Sequence, residues 1–71
     1  MTKQEKQAFL EADGILMRSG INAKGKPCMR FRTLLKDWHL IVSCENLERV
    51  QAMMNTLATR FPDKFQIDQD N

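Results

Sequence analysis

The segment PCMRFRTLLKDWHLIVSC, residues 27–44, decides how the chain is read. Two β-prone runs flank Lys36-Asp37, and the segment reads as a β-hairpin. Lys-Asp is not one of the pairs that tight primed turns prefer, so a loop longer than two residues is expected. The register predicted here pairs Leu35 with Trp38, Leu34 with His39, Thr33 with Leu40 and Arg32 with Ile41. It goes on to pair Phe31 with Val42, Arg30 with Ser43 and Met29 with Cys44. Side chains alternate along a strand, so one side holds Met29, Phe31, Thr33, Leu35, Trp38, Leu40, Val42 and Cys44. That side is nearly all apolar and is expected to be core, with Trp38 packed under a helix. The other side holds Arg30, Arg32, Leu34, His39, Ile41 and Ser43. A slip by one residue would destroy this separation, which is the argument for the two faces.

Upstream, residues 2–19 are expected to form a helix. Thr2-Lys3-Gln4-Glu5 fits a capping box. Ala8, Phe9, Ala12, Ile15 and Leu16 recur at spacings of three and four, widened by Leu10 and Met17. Gly14 marks either a close approach to the sheet or a break, and Gly20 is a suitable left-handed stop. Residues 20–27, GINAKGKP, read as a loop carrying Lys24 and Lys26. It is not a Walker motif, because the leading glycine and the Ser/Thr after lysine are missing.

Downstream, residues 45–60 read as a second helix, capped by Ser43 and with Glu45 in its first turn. Leu47, Val50, Met54, Leu57 and Phe61 give the strongest helical periodicity in the chain. Pro62-Asp63 ends it. Phe65, Gln66, Ile67 and Asp68 alternate as a short third strand that runs out into a frayed tail over 67–71. The third strand should run parallel to the second and pair antiparallel with the first. The expected fold is therefore α+β, a single domain spanning 1–71 with the order α-β-β-α-β. Its small three-stranded sheet has the order 2-1-3, and two helices pack on one face.

With 71 residues, the chain buries a small core of marginal stability, which dimerisation often completes. A 42% hydrophobic and 28% charged composition excludes intrinsic disorder. The net charge is only +2, but residues 18–36 carry +6 with no acid: Arg18, Lys24, Lys26, Arg30, Arg32 and Lys36. Cys28 and Cys44 fall on opposite hairpin faces, which disfavours a disulfide and fits a reducing compartment. MTKQEKQ lacks the apolar run of a signal peptide, and no segment approaches the length of a membrane span. A cytoplasmic location is expected.

The sequence offers little for catalysis. Cys28, His39 and Cys44 are spaced by ten and four residues, which matches no common metal site. His39 has no carboxylate near in sequence to orient it as a base. No enzyme activity, metal or cofactor is expected. The functional candidates are Arg30, Arg32, Lys24, Lys26, Lys36, His39 and Ile41. Arg30 and Arg32 lie about 7 Å apart along a strand, near the spacing of phosphates on one nucleic-acid strand. The leading expectation is a small binding protein, such as a regulator, contacting nucleic acid through a basic sheet face and the 20–27 loop. The alternative is an inhibitor or adaptor, of the kind phages and plasmids use as accessory proteins. It would dock on a larger protein complex through Leu34, Ile41 and the arginines. With Phe31 and Trp38 placed in the core, the basic face would lack the aromatics on which bases stack.

Overall fold

The computed structural model describes residues 2–38 and 40–68, for Leu40 the backbone alone. In chain order the elements are α1 (Lys3–Glu11), β1 (Ile15–Ile21), β2 (Pro27–Arg32), β3 (Leu40–Ser43), α2 (Leu47–Arg60) and β4 (Phe65–Ile67). The strands form one mixed sheet in the order β3-β2-β1-β4. β1–β2 and β2–β3 are antiparallel, and β1–β4 is parallel. The α+β class matches the sequence reading, but the sheet has four strands rather than three.

The additional strand is β1, ILMRSGI, taken from what reads as the end of a long first helix and the first two residues of the 20–27 loop. The capping box does start α1, with Glu5 N donating to Thr2 Oγ1 at 3.1 Å. The helix then stops at Glu11, well before Gly20. Asp13 adopts a left-handed φ of 65°. Its N–H donates to Leu10 O at 3.1 Å, and the N–H of Gly14 donates to Phe9 O at 2.9 Å. These two bonds form a Schellman motif, with aspartate at the position glycine usually fills. Gly14 follows because a Cβ there would lie 2.5 Å from the Phe9 ring. Ile15, Leu16 and Met17 are thus the buried run of a strand covered on both sides, with Leu16 and Met17 fully buried. Asp13→Gly is expected to stabilise the protein by about 1 kcal/mol, because it removes left-handed strain from the cap. Urea denaturation checks this, and no change or a loss would remove the cap from the account.

β1 inserts between the expected first and third strands without disturbing the order of the rest. β4 consequently pairs parallel with β1 rather than antiparallel with β2. It still runs parallel to β3, as the crossover through α2 implies.

In the β2–β3 hairpin, Cys28 pairs with Ser43, Met29 with Val42, Arg30 with Ile41 and Phe31 with Leu40. This register differs from the expected one by two residues. An even shift keeps every side chain on its expected face, so the separation into apolar and basic sides survives. The shift comes from the loop. Its tight turn is centred on Leu34-Leu35, with Thr33 N donating to Lys36 O at 2.9 Å, and not on Lys36-Asp37. The expected pairs Thr33–Leu40 and Leu35–Trp38 do not form. Leu34 and Leu35 are 47% and 91% exposed. Trp38 stands outside both strands at φ 37°, so it is not the core residue the sequence suggested.

The main core joins Met17, Met29 and Phe31 of the sheet to Val50 and Met54 of α2. Ile15, Val42, Cys44, Leu57, Phe65 and Ile67 pack around them. α2 starts later than expected, because Asn46 rather than Ser43 caps it, its Oδ1 accepting from Arg49 N at 2.9 Å. Phe61 leaves the helical stripe as the C-cap and is 52% exposed.

The two helices lie on opposite faces of the sheet, which corrects the expectation of one shared face. α1 packs against β1 and does not touch α2. Alternation turns Leu16 and Arg18 away from Met17, toward the α1 side, where Leu10 is also buried. A central strand that is apolar on both sides needs cover on both sides, and one helix supplies each. Asp68 is buried here instead of frayed, its N–H donating to Met17 O at 2.8 Å. The rest of the expected tail, 69–71, lies outside the described residues. No described helix is long and apolar enough to cross a membrane.

Candidate functional site

β1 contributes Leu16, Arg18 and Gly20 to the sheet face turned away from α2. β2 contributes Cys28, Arg30 and Arg32, and β3 contributes Ile41 and Ser43. On this face α1 covers only the β1 side, so the β2–β3 half of this face carries no helix. Arg30 and Arg32 therefore lie beside α1 and not beneath it. Ile41, 48% exposed, sits directly across from Arg30.

A third arginine joins this face. Arg18 is the cross-strand partner of Arg30, so two cations stand on adjacent strands at one register position. Like charges so placed repel unless something neutralises them. Arg18 is accounted for. Its Nη2 donates to Asp68 Oδ2 at 2.7 Å, and its guanidinium lies 4.1 Å from the centre of the Trp38 ring. The Asp68 side chain, 1% exposed, also pairs with Lys6 Nζ at 2.5 Å, so one carboxylate ties α1, β1 and the end of β4 together. Burial pushes the Asp68 pKa up. The close approaches and charges of Lys6 and Arg18 outweigh it and hold the carboxyl below its ordinary value. Arg32 Nε reaches Asp37 Oδ1 at 3.3 Å.

Arg30 is different. Its Nη2 makes one long bond to Ile21 O at 3.4 Å, and its buried Nε has no partner among the described residues. No carboxylate among the described residues pairs with it. A half-buried guanidinium without a counter-charge is costly unless a ligand supplies the missing acceptors.

The other candidates are dispersed. Lys24 and Lys26 sit on the β1–β2 turn, which is more ordered than a free lysine arm. Asn22 Oδ1 accepts from both of their N–H groups, at 2.9 and 3.0 Å, and Gly25 takes a left-handed φ of 79°. Both lysines are exposed. Lys26 borders the cleft formed with Val42, Ser43, Cys44, Glu45, Arg49 and Met53, so it points toward the α2 side and does not extend the arginine face. Lys36 is exposed in the loop at the opposite end of the hairpin. His39 lies outside the described residues. Cys28 and Cys44 are free thiols, and they fall on opposite faces as the sequence reading required.

The structure thus brings together Arg30, Arg32 and Ile41 and adds Arg18 and Trp38, which sequence reasoning did not place there. Arg18 was detectable only through the Ile15-Leu16-Met17 run, because a buried strand there sets residue 18 opposite residue 30. Trp38 carried no such signal, since its position depends on where the loop turns. No family model, no curated protein and no solved structure matches this chain.

Proposed function

We propose that this is a small, non-enzymatic, cytoplasmic protein that binds nucleic acid through the arginine face of its sheet. The observation that supports this is Arg30, half-buried, opposite another arginine and lacking a carboxylate partner among the described residues. A phosphate would supply the counter-charge its guanidinium lacks and relieve its repulsion with Arg18. Arg32 stands two residues along the same strand, positioned for a neighbouring phosphate. Lys24 at one end of the hairpin and Lys36 at the other give longer-range attraction to a polyanion.

The test is the salt dependence of oligonucleotide binding by the intact protein and by Arg30→Ser. The wild type is expected to lose affinity with a log–log slope of about −0.7 to −0.9 per phosphate contact. Arg30→Ser should keep the native circular dichroism spectrum, bind several-fold more weakly and flatten the slope by about one contact. A folded Arg30→Ser protein with full affinity and an unchanged slope would refute the assignment.

The rival reading is a docking protein, an inhibitor or adaptor. It draws on Leu34 and Leu35, which are exposed at the loop tip between β2 and β3. Binding anchored on those leucines would depend weakly on salt and strongly on Leu35→Ser.

A further inference from the structure

We infer that Trp38 is a base-stacking platform, so that the nucleic acid this face takes is single-stranded. The inference rests on the nucleic-acid reading above and narrows it to one class of ligand. Three observations converge on this residue. Trp38 is the sole tryptophan of the chain, and it lies outside both strands and outside the apolar core. Its backbone has a φ of 37°, a conformation that costs energy for a bulky side chain and that proteins retain mainly where a site needs it. Its indole is held 4.1 Å over Arg18, and Asp68 in turn fixes Arg18 from behind.

The arrangement is that of a supported ring. A cation beneath one indole face positions the ring over the basic face without burying it in apolar side chains. Among the described residues no other aromatic ring stacks on it, and it is half-buried. An indole with a cation on one face leaves its other face as the surface that would receive an unpaired base. Arg30 is the cross-strand neighbour of Arg18 on the next strand. Its guanidinium lies beside Gly20 and reaches Ile21 O, further along β1, so a single strand stacked on Trp38 would run its following phosphates toward it. In a duplex the bases are stacked on one another and unavailable to the ring, so Trp38 would discriminate between the two forms.

The experiment follows Trp38 fluorescence while the intact protein is titrated with a 12-nucleotide mixed-sequence oligonucleotide. The oligonucleotide is offered as single-stranded RNA, as single-stranded DNA and as the matched duplex, all at low salt. Both single strands are expected to quench the fluorescence and to bind at least tenfold more tightly than the duplex. The RNA and DNA arms separate the two sources of the same chemistry. Trp38→Leu should retain its circular dichroism spectrum and lose roughly 5- to 150-fold in single-strand affinity, while Trp38→Phe keeps part of it. Should Trp38→Leu fail to fold, the quenching of the wild type still decides. Duplex bound as tightly as single strand, with Trp38 fluorescence unchanged, would overturn the stacking role and leave the nucleic-acid reading standing. Absence of binding to every form at low salt would overturn both.

Discussion

Met17→Ala is expected to leave little of the chain folded at room temperature. Met17 is fully buried in β1, where it packs with Met29, Phe31, Val50 and Met54. Truncating a buried methionine to alanine costs about 2–5 kcal/mol, from lost transfer energy and from the cavity left behind. A core this small supplies only about 3–5 kcal/mol of net stability. The cavity also opens on the one strand that touches both helices and β4. Urea denaturation followed by circular dichroism reads the effect. Met53→Ala, at a residue of α2 that is 37% exposed, is the control and should cost under about 1 kcal/mol. A loss at Met17 no larger than at Met53 would show that residue 17 is not at the centre of the core.

The same residue shows what the sequence revealed and what it concealed. Ile15, Leu16 and Met17 follow Ala8, Phe9 and Ala12 at helical spacing, so periodicity alone carries the first helix through them. What ends α1 is a left-handed Asp13 and a Gly14 that makes room for Phe9, and both are properties of backbone conformation. A strand buried on both faces has no alternation to betray it, and three apolar residues in a row suit either element. The hairpin faces were legible because alternation survives any even slip, and the observed slip is two. Its register was not legible, since Thr33 and Lys36 close a turn that no strong turn pair announces. Trp38 was misplaced for that reason, and with it the aromatic part of the site. Arg30 and Arg32 were read correctly as sharing a face. Their company was hidden, because Arg18 reaches that face only once β1 exists. The clasp at Asp68 joins positions 6, 18 and 68, and no local pattern connects residues so far apart.

Asp68→Asn should cost about 2–3 kcal/mol at neutral pH and should make the protein's acid sensitivity milder. The carboxylate is 1% exposed, while Lys6 and Arg18 keep 17% and 37% of their side-chain surface in water. Breaking a fully buried pair costs about 3–5 kcal/mol, and the partial exposure of both cations lowers that figure here. The sign of the pH dependence follows from the direction of the shift. The folded protein holds Asp68 below its ordinary value of 3.8, so the folded state binds its proton less readily than the unfolded chain does. The stabilisation is therefore complete above the ordinary value and disappears as the pH falls through the lower, folded one. The stability gap between wild type and Asp68→Asn should stay constant from pH 7 to about pH 5 and narrow steadily below about pH 4. Urea denaturation of both proteins at pH 7, 5 and 3 measures it. A gap as wide at pH 3 as at pH 7 would mean that shape and not charge makes the clasp. The variant has a second expected consequence, because Asp68 is what fixes Arg18 beneath Trp38. Freed from it, the guanidinium is less firmly held under the indole, and Trp38 fluorescence should shift toward that of an exposed ring while the circular dichroism spectrum of the sheet persists. An unchanged emission spectrum in the folded variant would show that Trp38 is held by the loop alone.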